Sequence, residues 1–325
     1  MEKVRFGIIG LGKIAARFAG VLRYSASGQL TAVAARDAGR AETFAAEYGA
    51  ARSYGSYGEL IRDPEVELVY IAVTHNFHYE LIKECLLAGK GVLCEKPMVL
   101  TRDKAKVLCS LAARKRVFLM EAMWTRCLPA VRKAAEWTRS GRIGVLKMVQ
   151  ASFCHRPKFD PASRLFSPEL SGGALYDMGV YPLMFASCIV GENPIETFGV
   201  ASMCPTGVDT CDTLSLRFPG GALASLCCAS GVRMPDDAAV YGTEGRIFLP
   251  NFYRATSAAL YDENGGLVER FEEECADGFI YEIEHAARCF REGKIESDWV
   301  PWADTIACAG IFDAMREQWG IPGAV

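Results

Sequence analysis

The sequence predicts an α/β protein of two domains: a doubly wound parallel sheet over residues 1–122, then an α/β domain over 123–325 built on a largely antiparallel sheet. Three observations carry this. The chain has 325 residues, more than the roughly 250 to 300 at which one hydrophobic core stops growing. Up to residue 122, short apolar strands alternate with helical patterns, as in crossovers between parallel strands. Beyond it, strands of alternating polarity are separated by Gly and Pro turns, as in hairpins.

Taken in order, Val4 to Ile9 reads as a buried strand, and Ile14, Phe18, Val21 and Leu22 then recur at helical spacing. Between them lies Gly10-Leu11-Gly12-Lys13-Ile14-Ala15. Strand, G-x-G-x-x-A and helix in this order suit a dinucleotide: Gly10 permits the tight turn, Gly12 lets a pyrophosphate approach the backbone, and Ala15 allows close helix packing. Lys13 and Ile14 open the helix whose N-terminus would receive the phosphates. The pattern alone also marks ordinary strand-to-helix turns; its flanks and its place at the start of the chain favour dinucleotide binding.

The second strand, Leu30 to Ala35, ends at Arg36-Asp37, where the residue reading the adenosine ribose should stand. Two readings compete. Asp37 could accept ribose hydroxyls, implying NAD, or Arg36 with Arg40 could pair with a 2'-phosphate, implying NADP. NADP is favoured, because Arg36 comes first after the strand and Asp37 is suited to N-cap a helix from Ala38 to Tyr48.

Leu68 to Val73 is a third strand, closing with Thr74-His75-Asn76-Phe77-His78 before a helix from Tyr79 to Ala88 that Gly89 ends. Thr74, Asn76 and His78 would face the cofactor. The spacing of His75 and His78 raises a metal site, but the chain has only 4 histidines and no carboxylate motif beside these two. No metal is expected; one histidine should cap the helix and the other touch the nicotinamide ribose. Gly91 to Cys94 then delivers Glu95-Lys96-Pro97, a cation and a conformation-fixing proline at the carboxyl end of a parallel strand, where open α/β sheets bind ligands. Glu95 and Lys96 are both assigned to the cofactor edge, with Lys96 as the hinge between a cofactor half and a substrate half. Thr101 should cap a helix to Arg116, and Val117 to Met120 should add a strand.

In the second domain, Pro129 opens a helix to Arg139 and Val145 to Phe153 reads as a long strand. A polar loop with Pro157, Pro161 and Pro168 leads into Ser171-Gly172-Gly173-Ala174-Leu175-Tyr176-Asp177-Met178-Gly179-Val180-Tyr181-Pro182 and a helix to Val190. Leu214 to Phe218 alternates, Pro219-Gly220-Gly221 turns, and Ala222 to Ala229 returns. Thr243-Glu244-Gly245 marks another turn, strands continue through Leu260 and Val268, and helices near Ile280 to Arg291 and Trp302 to Trp319 finish the chain. The two halves are expected to enclose a cleft.

Asp177 and Tyr181, one helical turn apart, share a helix face. If that helix crosses the mouth of the first domain, both approach Lys96. Hydride transfer to or from a carbinol carbon needs a group that handles the hydroxyl proton. An unperturbed phenol titrates near ~10; a lysine cation about 4 Å away, at an effective dielectric of about 20, would favour phenolate by about 4 kcal/mol before desolvation. Asp177 could orient the substrate hydroxyl or hold Lys96 charged. Each residue alone reads more simply as a cap, a surface cation or a packed ring. Together, beside a dinucleotide motif, they read as a catalytic set.

Composition narrows the partners. The net charge is -3 and the cations are scattered, so nucleic acid and anionic lipid are not expected partners. The 13 cysteines include no Cys-x-x-Cys, and several lie in apolar segments, which fits reduced thiols in a cytoplasmic protein. No uninterrupted apolar run reaches about 18 residues. An antiparallel sheet with helices mainly on one side leaves a face to cover, so a homodimer or homotetramer is expected.

Gly10-x-Gly12-x-x-Ala15, Glu95-Lys96-Pro97 and Gly172-Gly173-x-x-x-Asp177-x-Gly179-x-Tyr181, in series, resemble the glucose-fructose oxidoreductase, inositol dehydrogenase and rhizopine catabolism family (Gfo/Idh/MocA) over nearly the whole chain. The resemblance implies an N-terminal Rossmann domain, a C-terminal domain with a large open sheet, and NAD(P)-dependent oxidation or reduction of sugars, cyclitols and related alcohols. It also implies Lys96 as the catalytic lysine, with Lys96-Pro97 often cis. Many members carry histidine where Tyr181 stands. Tyr181 together with Met120-Glu121-Ala122-Met123-Trp124-Thr125-Arg126 is similar to the dimeric dihydrodiol dehydrogenase branch, which favours NADP. That similarity carries Tyr181 over as general acid/base and Trp124 as a substrate-pocket wall, with Arg126 beside it; the branch often has arginine where Lys147 stands. A different class of function on the same fold is a dinucleotide-binding regulator or sensor without chemistry. The intact Lys96, Asp177 and Tyr181 set argues against it.

Overall fold

The computed structural model describes residues 2–321, and the chain divides into two compact units. The first holds the residues through Val99, Asp103–Trp124 and Asp277–Trp302; the second holds Leu100–Arg102, Thr125–Ala276 and the chain from Ala303 onward.

The first unit contains β1 (Val4–Ile9), β2 (Gly28–Ala34), β3 (Arg52–Tyr54), β4 (Leu68–Ile71), β5 (Gly91–Glu95) and β6 (Leu119–Ala122). They form a parallel sheet in the order β3-β2-β1-β4-β5-β6. This is the Rossmann arrangement, in which the order reverses between β1 and β4 and ligands bind outside the carboxyl ends of the strands. Every residue of β4 and β5 is buried, as a sheet covered on both faces requires. Inside it, the Phe18 ring stacks on Tyr70 at 3.7 Å.

Two departures from the sequence reading have local causes. The sixth strand begins later than Val117, because Arg116 adopts φ 55 and Val117 N still donates to Ala112 O at 3.0 Å, finishing the preceding helix. The β3 strand and the Tyr57–Arg62 helix were not anticipated, being too short for a periodic signal. A third departure is long-range: the Phe279–Arg291 helix, read as part of the second half, belongs to the first unit. It buries Phe279, Ile283, Ala286 and Ala287, and Leu119 N donates to Ile295 O at 2.9 Å.

The second unit contains β7 (Leu146–Cys154), β8 (Glu196–Met203), β9 (Asp209–Arg217), β10 (Leu223–Ala229), β11 (Ala238–Gly242), β12 (Gly245–Leu249), β13 (Ser257–Asp262) and β14 (Leu267–Glu272). Their order is β14-β13-β12-β11-β7-β10-β9-β8. All neighbours are antiparallel except β7 and β10. The Val180–Val190 helix buries every residue from Val180 to Ile189, which explains why it is apolar all round. The stretch Pro168–Val190 is long and apolar enough to cross a membrane, yet 89% of its apolar window is buried within the fold, as in a core helix. None of the thirteen cysteines is in a disulfide.

Candidate active site

At the carboxyl end of β1, Gly10 has φ +85, and a Cβ there would lie 2.6 Å from Val73 Cγ1 and 2.8 Å from Ala72 O. No L side chain fits that turn. Gly12 is different: it N-caps the Lys13–Leu22 helix without any side-chain cap, and a Cβ would meet nothing within 4 Å. Open space therefore lies over the first-turn N–H groups, at the positive end of the helix dipole. Those features fit the diphosphate of a dinucleotide. Lys13 is exposed and Ile14 half-buried beside the opening, while Ala15 is fully buried.

At the end of β2, Arg36 is exposed. Asp37 Oδ1 accepts from Arg40 N at 2.7 Å, capping the Ala38–Tyr48 helix. The Arg40 guanidinium donates to Leu11 O at 2.6 Å, which sets a second cation against the glycine turn. Past β4, Thr74 Oγ1 donates to Asn76 Oδ1 at 2.8 Å.

His78 neither caps its helix through its side chain nor faces open space, which corrects the expected cofactor contact. It is fully buried. Its Nδ1 lies 3.0 Å from Pro97 O and 3.2 Å from Met98 O, and its Nε2 lies 3.1 Å from Val73 O. The ring thus ties the segment after β5 to the end of β4. Lys96 is half-buried, and Lys96-Pro97 is cis. The same segment is held by Glu121 Oε1, which accepts from Met98 N at 2.8 Å, and by Glu95 Oε2, which accepts from Lys96 N at 3.2 Å.

Glu95 also accepts the Tyr70 hydroxyl. Burial raises its carboxyl above the ordinary range, while the Tyr70 hydroxyl and the Lys96 cation oppose the shift. A second acid, Glu282, is fully buried, and among the described residues its carboxyl oxygens make no hydrogen bond. Burial and then the charge of Glu95 push it well above the ordinary range. Sequence reasoning missed Glu282, because an acid within an amphipathic helix normally reads as its solvated face.

Trp124 meets Phe279 edge-on at 5.1 Å, and the Arg17 guanidinium lies over both rings at 4.7 and 4.0 Å. Asp277 grips Arg17 through two bonds of 2.7 and 2.8 Å. Arg17, Asp277 and Phe279 carried no motif signal.

In the second unit, Asp177 sits in a π-helical turn, Leu175–Gly179, that runs into the Val180–Val190 helix. Such turns are common at functional sites. Asp209 Oδ2 anchors the turn by accepting from Leu175 N at 2.6 Å, and Gly173, at φ +124, lets the backbone pass against that carboxyl. Arg164 pairs with Asp177 at 2.9 Å, a partner the sequence did not suggest. Tyr181 is 8% exposed. Its ring meets Phe153 edge-on at 4.9 Å and Tyr253 at 6.2 Å, and Phe153 stacks on Tyr253 at 4.3 Å. Phe153 and Tyr253 were not singled out from sequence, where aromatics in strands and turns read as core.

Arg126 corrects another expectation. It is buried, and its Nη1 donates to Asp304 Oδ2 at 2.6 Å, while Asn193 donates to the other Asp304 oxygen at 2.9 Å. Its charge is committed to an internal ion pair rather than presented to a ligand.

Residues 4–123 match the model described as an oxidoreductase family with an NAD-binding Rossmann fold, so the glycine turn and the strand order define a dinucleotide-dependent oxidoreductase. Residues 131–248 match the GFO/IDH/MocA C-terminal domain. The chain belongs to the GFO/IDH/MocA family and is an NAD(P)-dependent dehydrogenase or reductase. It is 35% identical over 326 residues to trans-1,2-dihydrobenzene-1,2-diol dehydrogenase of Mus musculus, covering 98% of this chain and 97% of the relative. A 3-ketoreductase from Actinomadura kijaniata in complex with NADP and TDP-benzene superposes with a TM-score of 0.86 at 27% identity, covering 97% of this chain and 98% of that one. Levoglucosan dehydrogenase in complex with NADH and levoglucosan, at 22% identity and a TM-score of 0.86 over 98% of both chains, shares the fold.

Proposed function

We propose that this NAD(P)-dependent dehydrogenase, which acts on CH–OH groups, prefers NADP and moves hydride between nicotinamide and a diol, sugar or related carbonyl compound, with Lys96 and Tyr181 handling the proton. The observation that carries the reading is the carboxyl edge of the six-stranded sheet, where the Gly10–Gly12 turn, Thr74 and Lys96 all emerge beside the β1/β4 switch point.

When bound, nicotinamide supplies or accepts the hydride. The Lys96 ammonium favours negative charge on the reacting oxygen. The Tyr181 hydroxyl gives or takes the substrate's proton, and Asp177, held by Arg164, orients the substrate hydroxyl. Phe153 and Tyr253, against which Tyr181 packs, supply apolar walls for the carbon skeleton. That suits a cyclic diol, the kind of compound for which the mouse relative is named. Arg36, exposed, and Arg40, fixed to the glycine turn, support a 2'-phosphate, and the Actinomadura relative is a complex with NADP. The chain works as a homodimer or homotetramer, a reading supported by exposed Phe198 and Val200 on β8.

The test is a panel of diols, aldoses and inositols followed by nicotinamide absorbance with both cofactors. Lys96→Met and Tyr181→Phe should bind NADPH as the parent does and lose about 10²- to 10⁴-fold in turnover. Unchanged turnover in both variants would refute the proton assignment. Arg36→Ala should weaken NADPH much more than NADH, and equal losses would remove Arg36 from phosphate recognition.

A further inference from the structure

The Phe279–Arg291 helix carries His285 and Cys289, one turn apart and therefore on one face. The chain beyond it returns Asp298 to the same point. His285 Nε2 lies 3.6 Å from Cys289 Sγ and 3.5 Å from Asp298 Oδ1, and Cys289 Sγ lies 3.7 Å from that same Oδ1. An imidazole nitrogen, a sulfur and a carboxylate oxygen thus mark a nearly equilateral triangle. The point equidistant from its corners is about 2.1 Å from each, the length of zinc bonds to nitrogen and oxygen, and a shift of about 0.2 Å away from the sulfur reaches the zinc–thiolate distance of ~2.3 Å. Ser297 Oγ, 2.7 Å from His285 Nε2, stands beside a fourth position.

We propose that His285, Cys289 and Asp298 form a reversible site for a zinc-type divalent cation, separate from the nucleotide edge. Two features favour a metal over the other uses of such residues. A nucleophile–base–acid relay needs its thiol and its carboxylate on opposite ring nitrogens, whereas here both converge on Nε2. The site also lies at the C-terminal turn of its helix, where the dipole favours a cation. Soft sulfur with imidazole and one carboxylate is a zinc donor set.

Binding is a proton exchange. A thiol binds metal as thiolate, so the ion displaces one proton from Cys289 while the His285 proton moves to Nδ1. Arg288, which donates to Nδ1 at 2.9 Å and lies 3.7 Å from Asp298 Oδ1, must then swing away. Its side chain is 44% exposed, and Glu292, 3.9 Å from its other nitrogen, is ready to receive it. Lys294, 3.5 Å from Asp298 Oδ2, adds a second repulsive charge. These two cations make the site exchangeable rather than permanently loaded. A cavity of about 520 Å³, lined by Ser27, Tyr281, His285, Arg288 and Trp299 among others, reaches the histidine and gives an entry path.

The experiment titrates chelator-stripped full-length protein with Co²⁺, reading the near-ultraviolet thiolate-to-cobalt band and the visible bands of a tetrahedral ion, and then displaces it with Zn²⁺. One equivalent per chain is expected, with affinity rising as pH rises because a proton is released. Cys289→Ser should abolish the thiolate band and Asp298→Asn should weaken binding by about tenfold or more, whereas Cys275→Ser should change neither. Absence of a band at millimolar Co²⁺, or a band that survives in Cys289→Ser, would overturn the proposal. If Cys289→Ser fails to fold, unchanged affinity in Asp298→Asn, whose site of change is half-exposed, overturns it instead.

Discussion

Replacing Glu282 by Gln should stabilise the protein, and increasingly so as pH rises. The carboxyl is fully buried, its oxygens lack hydrogen bonds among the described residues, and burial and Glu95 hold its proton well above the ordinary range. In the unfolded chain the same acid ionises near ~4.5. Between those two values the native state keeps a proton that the unfolded state has released. The stability this group contributes is therefore complete below about pH 4.5 and is lost progressively as pH rises toward the folded value. Gln has nearly the same shape and nothing to ionise, so the two proteins should be equally stable at the acid end and diverge above it. Each pH unit between the unfolded and the folded titration adds about 1.4 kcal/mol to the gap, and about 2–4 °C of Tm corresponds to each kcal/mol in a unit of this size, so the alkaline gap should reach several degrees. Thermal unfolding followed by circular dichroism from about pH 5 to pH 8.5 measures it. Parallel curves for parent and Gln variant, or a variant less stable at the alkaline end, would refute the reasoning.

Two other perturbations probe the nucleotide edge. Gly12→Val puts a branched side chain into the open space above the first helical turn and should weaken both NADPH and NADH by at least tenfold, measured by fluorescence titration, with little change in Tm; unaltered affinity would mean that the diphosphate does not lie there. His78→Ala removes the ring that bridges Val73, Pro97 and Met98 and leaves buried carbonyls unpaired at a cost of about 2 kcal/mol, so Tm should fall and turnover should fall even where the protein remains folded. A loss of stability with full turnover would show that the clamp does not position Lys96.

The legible parts of this fold are those written in local sequence. The Ala38–Tyr48 helix and its Asp37 cap, and the Pro129–Arg139 helix, appear with the predicted bounds, because capping chemistry and a 3.6-residue period act within a few residues. The parallel pairing of β7 with β10 and the return of the Phe279–Arg291 helix to the first unit depend on partners far along the chain, which no window of periodicity contains. Site residues divide in the same way. Gly10 and Gly12 carry backbone requirements visible in the motif itself. Arg126 and His78 look like ligands in sequence because charge and imidazole usually stay near solvent; only the Asp304 ion pair and the Pro97 and Met98 carbonyls reveal that both are spent internally. His285 and Cys289 were passed over for the converse reason, since the third corner, Asp298, lies outside their helix.

The buried acids also decide what charge lies around Lys96. Glu95 receives the Tyr70 hydroxyl and the Lys96 N–H, and the cations of Lys96 and Arg17 favour its ionised form. Glu282 has no hydrogen bond to stabilise a charge and feels the charge of Glu95 as repulsion. Of the two, Glu95 therefore loses its proton first, and its charge then keeps Glu282 neutral. The cluster presents one carboxylate rather than two to the lysine. That carboxylate spends one oxygen on Tyr70 and the other on the Lys96 backbone. Those two donors fix the position of the negative charge next to the lysine before any substrate oxygen arrives.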